Sequence, residues 1–379
     1  MRVAIQAGYH FMGCSFQRLE NSLGACDTRS PMLVHLGPKG LHCEKGGFHV
    51  DPARGVERAL ITHAHSDHAR GGSKEYLCAA PGAGLLAARL GSRARIRGVP
   101  YGERIRLGDV IVSFHPAGHV LGSAQIRMES EGEVWVATGD FKRDHDLSCA
   151  PFELIPCDTF ITEATFGDPS YEWDNPEGVC RSIFDWWEEV RADGATAVLF
   201  CYALGKAQRI LAELTRFTKR PVLVAPEIER LNYCYREEGV ALLPTRDVAS
   251  CSVESFRGEL LVTTPHFFQD RSGSALAGLG RIQTAFASGW AKTGRFGSRT
   301  YHRTFALSDH ADWPSLLRTV EETGARSVYV LGDSSERLSQ TLRKKGVYAS
   351  RMLPDSERHR GSSCEMTVQG ELFGNLSRS

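Results

Sequence analysis

The chain has 379 residues, of which 42% are hydrophobic and 24% charged, a composition typical of globular proteins with one large domain or two of ordinary size. Lys+Arg and Asp+Glu both number 45, so the net charge excludes a globally basic nucleic-acid binder, and nucleic acid would need a local basic groove. No apolar run approaches the roughly 20 residues that span a bilayer. The 11 cysteines form no CxxC pair, which argues against a Cys-type zinc site and a disulfide scaffold. With no signal-peptide pattern, we expect a cytoplasmic protein with reduced thiols.

The N-terminal part of the chain changes character near residue 33. Residues 1–32 are weakly patterned and are predicted to be a leader. From Leu33 the pattern becomes regular, with two short strands predicted around the Glu-Lys-Gly-Gly turn at 44–47. Asp51 closes the second of these strands before a proline. It is either a turn former or a carboxylate that orients a metal-bound histidine, and both interpretations remain open.

The most informative stretch has the spacing HxHxDH and consists of His63, His65, Asp67 and His68. Imidazole and carboxylate groups together suit zinc or a similar divalent ion. Four side chains of one short loop rarely reach a single tetrahedral ion, so we predict His63 and His65 on one metal and Asp67 and His68 on a second. An apolar strand precedes the loop, which disfavours a merely solvated histidine-rich loop.

Three further strand ends carry side chains of the same kind. His119 follows a strand in a glycine-flanked turn and is predicted to be the third histidine of the first metal. Asp140 stands behind a glycine after the next strand, which suits a carboxylate that bridges two metals. Glu163 ends the strand after that. His115, in a Phe-His-Pro corner, is interpreted as structural.

Between residues 171 and 270 strands alternate with helices, which predicts a parallel sheet of Rossmann-like type. Trp186 and Trp187 recur at helical spacing with other apolar residues and are expected in the core rather than on a base-stacking surface. No GxGxxG or GxxxxGK[ST] motif is present, so nucleotide binding as in an ATPase is not indicated. Lys206 opens a helix, where it either holds a phosphate or, as we favour, is solvated.

The stretch from 272 to 303 is rich in Gly, Ser and Arg. Arg295 and Arg299 are its candidates for contact with a nucleic-acid backbone, and a solvated linker is the alternative. A short strand then leads to His310. A further strand, predicted at 326–331, ends at Leu331, and a last strand is predicted at 348–353.

Taken together, these residues resemble the metallo-β-lactamase fold family. The resemblance is closer to its β-CASP nucleic-acid-processing branch, with Ala117–Ala124 and Thr138–Phe141 like the third and fourth motifs. The segments around Glu163 and His310 are similar to motifs A and B. The resemblance implies an αββα sandwich formed by residues 33–170 and 301–379, with a Rossmann-like β-CASP domain inserted at residues 171–300.

The family's motif C falls on Leu331, where RNA-cleaving members have histidine and DNA-cleaving members an apolar residue. This favours DNA as substrate. The chain looks most like bacterial exonucleases associated with an ATP-dependent DNA ligase and a DExH helicase, which implies those partners and a role in repair.

The expected mechanism is phosphodiester hydrolysis with two divalent ions, zinc for preference and manganese as the alternative, and a metal-bridging hydroxide as nucleophile. Asp67, Glu163 and His310 are expected to be catalytic, His310 as the proton donor held by Glu163. RNA processing, a small-molecule hydrolase such as a thioesterase or lactonase, and a non-catalytic scaffold subunit are the alternatives.

Overall fold

A computed structural model describes residues 32–270, 280–294, 301–332 and 334–352. Nineteen strands form three sheets among these residues, and the described residues from Leu33 onward belong to one compact unit. The leader predicted at 1–32 lies, apart from Met32, outside them. The fold is therefore of the mixed α/β class, while the αββα arrangement stays a prediction.

The first sheet has six strands in chain order and carries the HxHxDH loop. Its strands are β1 His35–Gly37, β2 Gly40–Cys43, β3 Phe48–Val50, β4 Arg58–Leu60, β5 Glu75–Ala79 and β6 Ile96–Val99. The first three are antiparallel and the last three continue in parallel. Phe48 and Val50 are buried on either side of a half-buried His49, as expected where side chains alternate between the two faces of a strand. Helix α1, Ala83–Leu90, follows β5.

The second sheet joins the middle of the chain to its later part. Its strands are β7 Ile105–Leu107, β8 Val110–Pro116, β9 Ala124–Ser130, β10 Glu133–Ala137, β11 Thr159–Thr162, β18 Ser327–Val330 and β19 Tyr348–Arg351. The spatial order is β19-β18-β11-β10-β9-β8-β7. The chain thus leaves this sheet after β11 and returns to it at β18, which pairs in parallel with β11. His119, Asp140 and Glu163 all lie in segments that follow its strands.

The third sheet is formed by the part of the chain between β11 and β18, and all its strands are parallel. Its order is β14 Thr245–Asp247, β13 Val222–Val224, β15 Leu260–Thr263, β12 Thr196–Phe200, β16 Ile282–Ala287 and β17 Arg303–Phe305. Helix α2 Pro176–Ala192 precedes its first strand in the chain, and helices α3 Lys206–Glu213, α4 Pro226–Glu237 and α5 Pro265–Asp270 connect its strands. The parallel sheet predicted here is present, and it extends to Phe305. The domain division at 170 and 300 stays a prediction.

Helix α2 shows how the core of this region is specified. The Asn175 side chain accepts a hydrogen bond from the Glu177 amide, and Pro176 occupies the first turn, where a missing N–H costs nothing. Trp186 and Trp187 are only 2% and 0% exposed and pack in the main apolar cluster of the third sheet. Their assignment to the core is confirmed.

Two later helices cover the second sheet, and they are α6 Trp313–Thr323 and α7 Ser335–Lys344. Asp312 caps α6, since its Oδ1 accepts a hydrogen bond from the Ser315 amide at 2.9 Å. Leu316 and Leu338 are buried in one apolar cluster with Val328 of β18. Among the helices of the described ranges, none is long and apolar enough to cross a membrane.

Candidate metal centre

Four donor atoms from separate parts of the chain converge at one point. His65 Nδ1 lies 2.9 Å from His63 Nε2 and 3.1 Å from His119 Nε2. Asp140 Oδ2 is 3.5 Å from His63 Nε2 and 3.6 Å from His119 Nε2. We call His63, His65, His119 and Asp140 the first donor set, whose donor atoms lie within 4.8 Å of one another.

Hydrogen bonds to the backbone decide which nitrogens of the first donor set carry protons. His65 Nε2 lies 3.2 Å from the Leu204 carbonyl, and His119 Nδ1 lies 2.7 Å from the Asp309 carbonyl. A carbonyl only accepts, so these nitrogens are the protonated ones and the opposite nitrogen of each neutral ring has a lone pair. Two lone pairs then face each other across 3.1 Å, an arrangement that fits a cation between them. The residues present therefore fit a divalent metal ion.

The protonation state of these histidines agrees with that role. Burial lowers the pKa of His65 to about 4. Burial and the neighbouring histidines also hold the pKa values of His63 and His119 well below their usual range. Metal binding requires neutral imidazole, so no proton has to leave these side chains at neutral pH.

Asp67, His68 and Asp140, which we call the second donor set, lie beside the first, but the other group of donor atoms within 4.8 Å among the described residues is Asp140, Glu163 and His310. His68 Nε2 is 3.5 Å from Asp140 Oδ1 and 3.7 Å from Asp67 Oδ2. Oδ2 of Asp140 faces His63 and His119, and Oδ1 faces His68. This is the position that the sequence predicts for a bridging carboxylate. The Asp67 side chain is 72% exposed, whereas His63 and His119 of the first set are buried.

Asp51 holds His68 at Nδ1, on the side of the ring opposite the nitrogen that faces Asp67 and Asp140. Its carboxylate accepts hydrogen bonds from the Thr62 amide at 2.8 Å and from the Thr62 hydroxyl at 2.5 Å, and lies 2.7 Å from His68 Nδ1. The backbone φ of Asp51 is 43°, in the left-handed region that aspartate tolerates better than most residues. The structure therefore places Asp51 where an orienting carboxylate would lie. Burial lowers the pKa of His68, but Asp140 and Asp51 outweigh it and raise the pKa to about 10.

Glu163 and His310 form a pair directly beside Asp140. His310 Nδ1 lies 2.9 Å and 3.0 Å from the two Glu163 oxygens, and 3.9 Å from Asp140 Oδ2. Glu163 is fixed in turn by the Phe141 amide, which donates to it at 2.9 Å. Burial lowers the pKa of His310, but Glu163 and Asp140 outweigh it and raise the pKa to about 9. Donor atoms of Asp140, Glu163 and His310 also lie within 4.8 Å of one another, so His310 is either a proton donor or a further ligand.

A buried group of charges supports the loop that precedes His310. Lys206 Nζ lies 2.8 Å from Asp309 Oδ2, and Arg209 lies 3.4 Å from Asp309 Oδ1 and 3.3 Å from Asp146. Lys142 completes the group at 2.7 Å from Asp146. Lys206 is 2% exposed, so its interpretation as a solvated residue at a helix start was wrong. The reason is that the 308–310 loop packs over the first turn of α3.

Two cavities open on the donor sets. The smaller, of about 340 Å³, is lined in part by polar side chains: Lys206, Ser288, Ser308, Asp309, Tyr202 and His310. The larger, of about 600 Å³, has a mainly apolar wall: Leu36, Leu41, Val50, Ala137, Ile161 and Leu331. Both contain Asp67, Asp140, Thr165 and Trp290 in their lining. The volumes fall within the ~300–1,000 Å³ range typical of small-ligand sites.

Three further residues were singled out in the sequence: His115, Arg295 and Arg299. His115 lies 3.0 Å from Glu153 and 2.9 Å from the Ser113 hydroxyl, and belongs to neither group of metal donors found among the described residues. Arg295 and Arg299 lie outside the described residues. Sequence reasoning missed Asp309, Arg209 and Trp290. An aspartate directly before a candidate histidine was the available signal for Asp309.

Known proteins similar to this chain include nucleases. A protein of Opitutus terrae named "Probable DNA ligase" is 34% identical over 313 residues, which are 82% of this chain and 30% of that protein. The "Ribonuclease TTHA0252" of Thermus thermophilus is 27% identical over 191 residues, 43% of this chain and 44% of that protein. The "RNase J-like protein" of Methanocaldococcus jannaschii is 24% identical over 189 residues, 44% of this chain and 45% of that protein.

These relatives point to the metallo-β-lactamase/β-CASP nuclease family. No family model matches the chain. The chain spans 30% of the length of the Opitutus relative and under half of the two ribonuclease relatives. A crystal structure of a protein of unknown function from Enterococcus faecalis superimposes with a TM-score of 0.53 over 79% of each chain, at 12% identity, and shares the fold.

Proposed function

We propose that the protein is a metal-dependent nuclease that hydrolyses phosphodiester bonds in DNA, as an exonuclease in repair. The observation that carries this proposal is the first donor set, in which two histidine lone pairs and a carboxylate meet at one point. Two of the three relatives described above are named as ribonucleases, which supports chemistry on phosphodiesters. The cytoplasmic location and the domain division at 170 and 300 belong to the same proposal.

The first donor set would hold one ion, and the second would hold another with Asp140 between them. Three nitrogens and a carboxylate oxygen suit zinc, while the carboxylates of the second set also suit manganese. Bound divalent ions supply Lewis-acid charge for the phosphate and lower the pKa of water.

The chain's own residues would then orient the substrate and move a proton. Glu163 holds His310 through Nδ1, so Nε2 is the nitrogen that would face the departing oxygen and donate a proton to it. Glu163 raises the pKa of His310, which favours the protonated form that a proton donor needs. Asp67 is exposed at the mouth of both cavities, where it would hold the more accessible ion.

DNA rather than RNA is proposed because of Leu331. This residue follows β18, where its amide donates to the Thr162 carbonyl at 2.8 Å, and its side chain lines the apolar cavity together with Asp67 and His68. A histidine is the residue that RNA-cleaving members have there, and leucine cannot bind a metal. RNA processing is the second candidate, and the ribonuclease relatives favour it.

The proposed partners are an ATP-dependent DNA ligase and a DExH helicase. A 313-residue segment similar to this chain is part of a larger protein named as a probable DNA ligase. Two activities joined in one polypeptide act at a high effective concentration, and separate proteins would gain the same by association.

The proposal is tested with end-labelled single-stranded DNA, duplex DNA and RNA of one sequence, after removal of metal with a chelator. Zinc or manganese should restore stepwise shortening of DNA from one end. His119→Ala should abolish it, whereas His115→Ala, a histidine outside the donor sets, should not. Faster cleavage of RNA than of DNA would favour RNA processing.

A thioester or lactone substrate in a parallel assay tests the small-molecule alternative. Turnover of that substrate without cleavage of nucleic acid would overturn the proposal. A wild-type protein that binds no metal would favour a non-catalytic scaffold instead.

A further inference from the structure

Tyr202 places an exposed aromatic ring in the smaller cavity. It lies in the turn between β12 and α3 and lines this cavity together with Asp67 and Asp140. The residue is 57% exposed. In the described ranges, Tyr233 and Tyr348 are also exposed, at 63% and 43%, but neither lines one of the two cavities. Single exposed aromatic residues are common on protein surfaces, so the position beside the donor sets is what distinguishes Tyr202.

The Tyr202 ring is accessible to a ligand. Within the described ranges, no aromatic ring packs against it and no side chain hydrogen-bonds its hydroxyl. Burial of the phenol and the negative charge of Asp309 raise the pKa of Tyr202, so the hydroxyl is uncharged at neutral pH and does not repel a phosphate. An uncharged aromatic ring with this exposure has a surface on which a planar group can stack.

The backbone around Tyr202 is fixed to the candidate metal centre. The Cys201 amide, directly before it, donates to the Thr263 carbonyl at 2.9 Å. The Leu204 carbonyl, two residues after it, lies 3.2 Å from His65 Nε2. The turn that presents the Tyr202 ring is therefore in direct contact with a histidine of the first donor set.

Gly205 allows the same turn to pack against the loop that carries His119. Its φ is 87°, in the region that favours glycine, and a Cβ atom there would lie 2.4 Å from Val120 Cγ1. A larger residue would push the turn away from the donor sets. The turn of Tyr202 is thus held in place before substrate arrives, which lowers the entropic cost of a contact with it.

Tyr202 lies on one side of the donor sets only. It lines the smaller cavity and not the larger one, whereas Asp67 and Asp140 belong to both. A strand whose scissile phosphate lies at these two carboxylates therefore passes Tyr202 on one side and the mainly apolar wall of the larger cavity on the other. A contact with Tyr202 would be made by nucleotides on one side of the scissile phosphate.

We propose that Tyr202 is a substrate-binding residue that stacks on an unpaired nucleobase on one side of the scissile phosphate. The inference rests on the proposed nuclease function and extends it to the way in which the substrate is held. Stacking on the ring requires an unpaired base, so the site takes single-stranded ends or ends that fray. Because every base has a π face, this contact holds DNA without reading its sequence.

The test combines variants of Tyr202 with substrates that lack one base. Single-stranded DNA oligonucleotides carry one abasic residue, placed in turn at each position near the cleaved end, and kcat and KM are measured for the wild type, Tyr202→Ala and Tyr202→Phe. Stacking of a base on an aromatic side chain corresponds to roughly 5- to 150-fold in affinity. We expect Tyr202→Ala to raise KM within this range, and Tyr202→Phe, which keeps the ring, to recover most of the loss.

The decisive result is the coupling between the two changes. At one position, removal of the base should impair the wild type but have little further effect on Tyr202→Ala, because both changes remove the same contact. At the other positions the two effects should multiply. Tyr233→Ala, which removes an exposed tyrosine that lines neither cavity, is the control and should match the wild type.

Three outcomes would overturn the inference. Multiplicative effects at every position would show that Tyr202 contacts no base. A Tyr202→Phe variant as impaired as Tyr202→Ala would show that the hydroxyl and not the ring makes the contact. A loss in Tyr202→Ala that appears in kcat, with bound metal lost as well, would show that the residue only supports the turn beside His65.

Failure of the proposed function gives a different result. In that case the wild type cleaves no nucleic acid under any metal condition, and the inference falls with the function. If the wild type cleaves DNA and only the coupling is absent, the function stands and the role of Tyr202 alone is wrong.

Discussion

The first and second donor sets share Asp140 but are built in different ways. In the first, His119 is buried and His65 half-buried, and backbone carbonyls fix the proton on the nitrogen that faces away from the site. In the second, Asp67 is 72% exposed and His68 depends on another side chain, Asp51. A preformed set of neutral ligands binds metal without conformational or protonation cost, so we expect the first set to bind tightly and the second to exchange its ion more readily.

The largest effect is expected from His119→Ala, which removes a ligand from the first set. The variant should lose one tightly held metal equivalent and fall to background in nuclease activity, since the remaining donors no longer close the site. Metal analysis after gel filtration and the end-labelled DNA assay measure both losses. A variant that keeps all its metal would mean that His119 is not a ligand.

His310→Ala should leave both donor sets intact and still lower kcat by about 10²- to 10⁴-fold, the usual contribution of a general acid. Glu163 holds the imidazole ring through His310 Nδ1, so Glu163→Gln should have a similar but smaller effect. Metal content separates the two possible roles of His310. Loss of a full metal equivalent would identify it as a ligand instead of a proton donor.

Asp51→Asn should act mainly on the second set, since Asp51 contacts His68 directly but reaches His63 only through the Thr62 hydroxyl. A neutral amide is a weaker acceptor for the His68 Nδ1–H than a carboxylate, and an orienting carboxylate commonly contributes about 10- to 100-fold in metal affinity or activity. The weaker ion should be affected more than the tight one. Equal weakening of both ions in a metal titration would contradict the difference between the sets.

Asp309→Asn should have the smallest effect on catalysis and a clear effect on stability. It keeps the carbonyl that contacts His119 but leaves Lys206 and Arg209 buried with less compensation, which costs about 3–5 kcal/mol in comparable pairs. The charges of Lys206 and Arg209 outweigh burial and hold the pKa of Asp309 well below its usual value of 3.8.

The pH dependence of that stability difference follows from the lowered pKa. A carboxylate with a lowered pKa stabilises the folded state fully above the unfolded-state pKa, and the contribution declines as the pH falls below it. The difference between the wild type and Asp309→Asn should therefore be constant near neutral pH and shrink below about pH 4. Denaturant unfolding at several pH values measures it, and a difference that grows on acidification would contradict the ion-pair interpretation.

The candidate metal ligands and the residues around them also differ in how far the sequence predicts them. The ligands lie in short motifs directly after strands, and this local pattern is sufficient to nominate His63, His119 and Asp140. The structure brings these residues together in the combinations expected. Their roles in metal binding stay predictions until metal is measured.

The surroundings of the ligands depend on packing between distant segments, which no local pattern reports. From the sequence, Lys206 is predicted to be a solvated residue at a helix start, because the sequence does not show that the distant Asp309 forms an ion pair with it. The composition of the stretch from 272 to 303 indicates neither the bounds of β16, a strand of the parallel sheet, nor the position of Trp290 in the lining of the cavities. A tryptophan in a Gly- and Arg-rich stretch was the only local signal.

The central claim is that two unequal metal sites share Asp140, and a zinc titration of the metal-free protein tests it most directly. Calorimetry should show two binding events of different affinity in the wild type, only the tighter one in Asp67→Ala, and no tight event in His119→Ala. A single event in the wild type, or the same loss in both variants, would contradict the account.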